Sequence, residues 1–364
     1  MNIPPKKKKF MLPHLTNSSG VILVVVLWVL VILIILTIGL GRQTTIELSL
    51  SRYTLAKLKA KYIAWGGLIY ALNQIKKDTK DPETGQFDSL YQCGIKLEKD
   101  SSPEILFQRI PLGDGYFRIS YFYPGESLEL YGMIDEERKI NLNSLTAQNY
   151  LVFKNLLMKF GVDDRTAETI AASVVDWKDA DSQPTHPPDG AEDDFYQNLK
   201  IPYHCKNSAF DTIEELMLVK GMTPEIFGKI KDFITIFPKE STTLLININT
   251  ASAPVIESLA EIFTGGITNT EASDAKSLTD KILAYRAGSD GQIMTNDDQL
   301  IGQSNTGLNP KETAIFLSMQ NNITKSSHYF RVIVDGIEEN SKTVYRINAV
   351  VYRDNLSIVS WRRD

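Results

Sequence analysis

The chain has 364 residues, 43% of them hydrophobic and 23% charged, the balance of a folded protein and not of a disordered one. Its formal charge is −5, and four of its positive charges are Lys6 to Lys9, so the remainder carries −9, which argues against a general nucleic-acid-binding surface. Cys93 and Cys205 are its only cysteines, too few for a zinc site and, in an oxidising compartment, enough for one disulfide that their spacing neither requires nor forbids.

Behind the lysines and the polar stretch Thr16 to Gly20, Val21 to Leu40 reads VILVVVLWVLVILIILTIGL, twenty residues without a charge. At about 1.5 Å per residue a helix of that length covers about 30 Å, the hydrocarbon thickness of a bilayer. The lysines hold the N-terminus in the cytoplasm and send the chain beyond Leu40 across the membrane. A cleaved secretory signal has an apolar core of about 7–15 residues and a small-residue cleavage site. This run is longer, and nothing like A-x-A precedes Arg42. An ordinary signal anchor explains that much. The lone Gly20 between basic leader and apolar run resembles the leader of type IV prepilins and type II secretion pseudopilins. The resemblance implies cutting between Gly20 and Val21, with a departure at mature position five, where such chains carry Glu and this one has Val25.

From Arg42 to about Lys77 there is no proline, and Leu48, Leu55, Leu58, Tyr62, Trp65, Ile69 and Leu72 recur at three- and four-residue steps, so the helix is expected to continue with one apolar face. Asp78 to Gly85 ends it with turn residues. Gly115 to Tyr123 and Leu128 to Ile134, separated by Pro124-Gly125, read as a hairpin. His328 to Val334, Thr343 to Tyr352 and Leu356 to Arg362 read as an antiparallel meander. The region between looks helical, so the economical arrangement is one sheet built from both ends with a helical insertion. Within that insertion Ile140-Asn141-Leu142-Asn143-Ser144 is echoed by Ile246-Asn247-Ile248-Asn249-Thr250, each a short extended segment leading to an N-cap. Leu216 to Ile230 is expected to add a helix, a glycine turn and a Thr-Pro helix start.

Asp176 to Asp194 reads DWKDADSQPTHPPDGAEDD, seven carboxylates and one lysine around a proline-rich loop. Such crowding is repulsive unless a cation bridges it, and hard oxygen donors favour Ca²⁺ over a transition metal. The spacing is not that of an EF-hand, and a solvated acidic loop is the plainer reading.

Several stretches then resemble one family: Gly132 to Glu137 running into Lys139 to Asn143, Asp176-Trp177 with Asp179-Ala180-Asp181, Gly190 to Tyr196, Phe210 to Leu216, Val219 to Thr223, and Ile246 to Ala251. In this order, from the leader to Ser360-Trp361-Arg362, they are similar to the general secretion pathway protein K family, the large minor pseudopilin of the type II secretion system. The resemblance implies an α+β fold: a long N-terminal transmembrane and pilin-like helix packed on an antiparallel sheet, with a large inserted α-helical domain. It implies a cleaved leader 1–20, a membrane segment 21–40, pilin-like parts 41–139 and 327–364, and an insertion 140–326. It also implies structural calcium at Asp176, Asp179, Asp181, Glu192, Asp193 and Asp194. The implied partners are other minor pseudopilins, the major pseudopilin, the prepilin peptidase, the inner-membrane platform and the lipid bilayer. The implied place is the inner membrane of a Gram-negative bacterium, with the N-terminus cytoplasmic and the C-terminal domain periplasmic. Val25 fits a capping subunit, because a carboxylate in lipid is tolerable only beside the amine of a subunit ahead.

Two readings compete. ININTASA and LVKGMT resemble pieces of helix-hairpin-helix modules, which makes a membrane-anchored periplasmic DNA-binding protein the alternative, though only Gly221 stands where two glycines are usual and no basic patch accompanies it. A type IV pilus tip subunit shares the leader and helix logic. Enzymatic motifs are missing: there is no G-x-S-x-G, P-loop or H-E-x-x-H. No enzyme and no nucleic-acid partner is expected.

Overall fold

The computed structural model describes residues 18–80, 85–92, 95, 97, 101–124, 127–265, 269–302 and 307–363. Lys6 to Lys9, most of the leader, Cys93 and Gly125 lie outside the described residues. The chain divides into two units, 1–58 and 59–364. In the first, helix α1 (Ser18–Thr79) begins, and its apolar side chains from Val21 to Leu40 are all exposed. The stretch is long and apolar enough to cross a bilayer.

In the second unit the remainder of α1 lies on an antiparallel seven-stranded sheet. Its strands are β1 (Ile110–Leu112), β2 (Gly115–Phe122), β3 (Glu129–Tyr131), β4 (Ile134–Asp135), β9 (Tyr329–Glu338), β10 (Val344–Tyr352) and β11 (Ser357–Arg363). The spatial order is β1-β2-β9-β10-β11, with β3 on β2 and β4 on β9. Both ends of the sequence thus meet in one sheet, Arg118 standing opposite Asp335. Phe117 and Ile119 of β2, Phe330, Val332 and Val334 of β9, and Ile347, Ala349 and Val351 of β10 alternate onto the helix side.

The helix face they meet differs from the expected one. Tyr62 and Ile69, in the predicted apolar stripe, are 66% and 60% exposed, and Leu48, Leu55 and Leu58 are exposed too. The buried face is Ala60, Ile63, Ala64, Gly67, Leu68, Ala71 and Ile75. Close approach explains it. A Cβ on Gly336 would lie 2.3 Å from the Ala60 carbonyl oxygen and 2.4 Å from the Ala64 nitrogen, and one on Gly67 would lie 2.6 Å from Val334 Cγ1. Large side chains do not fit there, so they flank the contact. Trp65 stacks on Trp361 of β11 at 4.7 Å between ring centroids.

Between β4 and β9 the chain is mainly helical, with its own core. It includes α3 (Leu151–Lys159), α4 (Asp164–Lys178), α5 (Asp193–Gln197), α6 (Pro224–Ile230), α7 (Ala253–Glu261), α8 (Ala272–Arg286) and α9 (Pro310–Ser318), following α2 (Pro103–Phe107) upstream. The sequence echo has a common geometry. β5 (Ile140–Asn141) pairs in parallel with β6 (Ile234–Thr235), and β7 (Ile246–Asn247) with β8 (Ile323–Thr324). In each copy the first Asn caps the turn, Asn141 Oδ1 accepting from Asn143 N–H at 3.0 Å and Asn247 Oδ1 from Asn249 N–H at 3.1 Å. The helix expected at Leu216 is instead a 3-10 turn, Ile213–Leu218, closed by a capping box from Thr212 and Glu215. Gly221 follows at φ +82°, and Thr223 caps α6.

A buried polar seam joins these parts. Arg353 donates to Asp78 at the end of α1 at 2.6 Å, to Asp88 at 2.7 Å and to the Ser327 carbonyl at 2.8 Å. Asp135 accepts from Asn247 Nδ2 at 3.0 Å and Thr250 Oγ1 at 2.6 Å, which carries the seam into the helical region.

Gly336→Ala is expected to push α1 from the sheet and to destabilise the detergent-solubilised chain by about 1–3 kcal/mol. A thermal melt tests this, and an unchanged midpoint would contradict the close-packed face.

Candidate metal centre

Helix α4 starts at the cap Asp163, which accepts from Thr166 N–H at 3.1 Å, and its last turn carries Asp176, fully buried. Asp176 faces the acidic loop as a staple: Oδ1 accepts from Thr185 N–H at 2.8 Å and Oδ2 from Ala191 N–H at 2.6 Å. The grip leaves no room at Gly190, where a Cβ would lie 2.1 Å from Asp176 Oδ2. Both Asp176 oxygens are therefore engaged with the backbone they fold.

The loop so held brings three carboxylates together. Asp179, at the C-cap of α4, Asp181 and Glu192 each offer an oxygen, all within 4.8 Å of one another. Asp181 is exposed, Asp179 half-buried and Glu192 only 6% exposed. Both Glu192 oxygens and Asp179 Oδ1 are buried without a hydrogen-bond donor among the described residues. A buried carboxylate in that state costs free energy unless it takes up a proton or a cation. Burial first, and then Asp176, Asp179, Asp181 and Asp193, push Glu192 up to about 7. Burial, Asp181 and Asp176 push Asp179 up to about 6 against the opposing charge of Lys178. The donors are all oxygen and their charges all negative, so the residues fit a hard divalent cation.

The other expected site residues stand differently. Asp193 opens α5, and its carboxylate accepts from Cys205 N–H at 2.8 Å and lies 3.1 Å from His204 Nδ1, which hold it below the usual carboxylate range. Asp194 is exposed and outside the three-residue cluster. His186 also lies apart, 3.3 Å from Asp189 and 3.5 Å from Glu168. Cys205 keeps a free, buried thiol pushed up to about 11 by burial. Gly20 and Val21 are exposed in α1. Lys220 was not a candidate on sequence grounds, yet its ammonium donates to the carbonyls of Pro188, Asp189 and Gly190. In the sequence it is one lysine beside a glycine turn, and only the fold brings it to the loop.

Residues 138–239, which contain the whole acidic loop from Asp176 to Asp194, match the family profile described as type II secretion system (T2SS), protein K. The type II secretion system protein K of Pectobacterium carotovorum subsp. carotovorum is 27% identical over 259 residues, spanning 71% of this chain and 74% of that one. The protein of the same description from Pseudomonas aeruginosa is 25% identical over 254 residues, 70% of this chain and 71% of the other. The chain is thus similar to type II secretion system protein K over about 70% of its length. Protein K is a minor pseudopilin, a structural and not a catalytic protein. The fold agrees: a chain in the crystal structure of the GspK-GspI-GspJ complex from enterotoxigenic Escherichia coli superposes with a TM-score of 0.57 at 17% identity, covering 86% of this chain and 99% of that one.

The raised carboxylates give this chain a pH signature. Because Glu192 and Asp179 hold protons more tightly when folded, the stability they contribute is full below about pH 4 and is lost as pH rises through 6 to 7. Metal-free protein is expected to lose more thermal stability between pH 5 and pH 8 than Glu192→Gln, whose amide does not titrate. Equal losses in both melts would contradict the assignment.

Proposed function

We propose that this minor pseudopilin caps or initiates the periplasmic pseudopilus of a type II secretion system and so supports the export of folded proteins across the outer membrane. The observation that carries the reading is α1, apolar and exposed from Val21 to Leu40 and still presenting large apolar side chains, Tyr62 and Ile69, beyond the membrane segment. Such a stripe needs other helices to cover it. The corresponding helices of other pseudopilins supply them, in an assembly like the one described for GspK, GspI and GspJ of enterotoxigenic E. coli. Val25 in place of a glutamate suits a subunit with none ahead of it.

In this reading the precursor lies in the inner membrane with residues 1–20 as a cytoplasmic leader, and the prepilin peptidase cuts between Gly20 and Val21. Residues 41–139 and 327–364 form the pilin-like part, and 140–326 a bulky insertion too wide for another subunit to sit above. Calcium joins Asp179, Asp181 and Glu192, with Asp176 holding the loop and Asp193 and Asp194 beside it, and cross-links the end of α4 to the start of α5. The helix-hairpin-helix alternative gains no cation from the turn at Gly221, since the neighbouring Lys220 ammonium is turned onto three carbonyls of its own chain.

Intact-mass analysis of the N-terminus in cells with and without the prepilin peptidase tests the reading. The expected result is a chain starting at Val21 only where the peptidase is present. Retention of Met1 in both strains would make it an ordinary anchored protein and remove it from the pseudopilus.

A further inference from the structure

We propose that Lys220 is a positioning residue for the metal centre, its ammonium fixing the loop that presents Glu192 to the cation. The inference rests on the reading that Asp179, Asp181 and Glu192 take calcium.

An ammonium has three donors, and three carbonyls converge on this one: Asp189 and Gly190 at 3.0 Å and Pro188 at 3.4 Å. Three consecutive carbonyls turned to one point repel each other, and a cation at their focus offsets that repulsion in the loop that Asp176 staples at Thr185 and Ala191. The same residue holds the chain beyond Glu192. Its backbone N–H donates to Tyr196 Oη at 3.3 Å, and its Nζ lies 5.0 Å from the centre of the Phe195 ring. Lys220 thus grips the chain two residues before Glu192 and three residues after it, while the Glu192 oxygens themselves have no donor among the described residues. The backbone on either side is what orients that carboxylate.

Lys220 is itself fixed. Gly221 next to it adopts φ +82°, and a Cβ there would lie 3.0 Å from Ile170 Cγ1, so the turn is pressed onto α4. α4 carries Asp176 and ends at Asp179. Through this turn Lys220 references the Glu192 side of the site to the Asp179 side.

The two roles open to this lysine differ in sign. As a bare positive charge beside a cation site it would repel the ion, and its removal would tighten binding. As a positioning group its removal lets the loop relax, and binding weakens. Loss of such an outer support costs metal sites about 10–100-fold in affinity. Calorimetric calcium titration of the full detergent-solubilised chain distinguishes them. Lys220→Met is expected to weaken calcium binding by about 10-fold or more, and Lys220→Arg, which keeps both charge and donors, to restore most of it. If Lys220→Met does not fold, as read by its metal-free melt, Lys220→Gln with two donors takes its place in the comparison. Calcium binding by Lys220→Met as tight as wild type, or tighter, overturns the positioning role. A wild-type chain that takes up no calcium, like Asp181→Asn beside it, overturns the metal reading first.

Discussion

A carboxylate taken out of water must find a cation or a set of donors, and this structure meets that constraint from within almost everywhere. Asp78 and Asp88 close on Arg353, Glu136 on Arg331 and Lys139, Asp335 on Arg118 and Arg346, and Glu312 on Lys281. Asp135 and Glu137 use hydroxyl, amide and backbone donors instead. Where both members are buried, as in Arg353 with Asp78 and Asp88, removing one leaves the other stranded at about 3–5 kcal/mol, so that pair works as a lock between the elements it joins. Arg353 has the widest reach, tying the end of α1 to the chain at Asp88 and to the start of β9. Among the described residues Glu192 is the exception, with both oxygens buried and unserved, and its neighbours Asp179 and Asp181 add charge of the same sign. Beside the other carboxylates, the acidic loop is the cluster whose oxygens could hold a metal ion.

The long helix keeps two faces. Ala60, Ala64 and Gly67 let its backbone approach β9 closely at Gly336, with Ile63, Leu68 and Ile75 packed on the same side, while Tyr62 and Ile69 point outward. A helix packing only on its own domain would bury those residues. A subunit meant for a bundle keeps them for its neighbours. Among the described residues the helical region adds no strand to the seven-stranded sheet and has a separate core, so it elaborates the fold without altering the helix-on-sheet contact.

Much of this was legible in sequence. The charge-free run after Gly20 announced the helix, the β-branched and aromatic stretches announced the strands, and the repeated I-N-x-N segments announced two like turns. What failed was the face of α1, because a periodicity of large residues marks a stripe without saying which partner covers it. Ala60, Ala64 and Gly67, at the closest approach to the sheet, carry little hydropathy signal, which leaves Ile63, Leu68 and Ile75 too sparse to mark the face by themselves. The 3-10 turn at Ile213–Leu218 was hidden for a similar reason: its composition suits a helix, and the capping box and the turn at Gly221 set the geometry. The acidic loop was visible as a loop of charges. The separate tasks of Asp176, which folds the loop, of Asp193, which holds Cys205 N–H, and of the three converging carboxylates depend on distances that spacing does not encode.

Crystals of the protein grown with calcium would test the central claim most directly, through the anomalous difference density at the end of α4. The account requires a peak about 2.3–2.6 Å from oxygens of Asp179, Asp181 and Glu192. A calcium-soaked structure with no peak there, and with Glu192 instead protonated and donating to a neighbouring carboxylate, would contradict it.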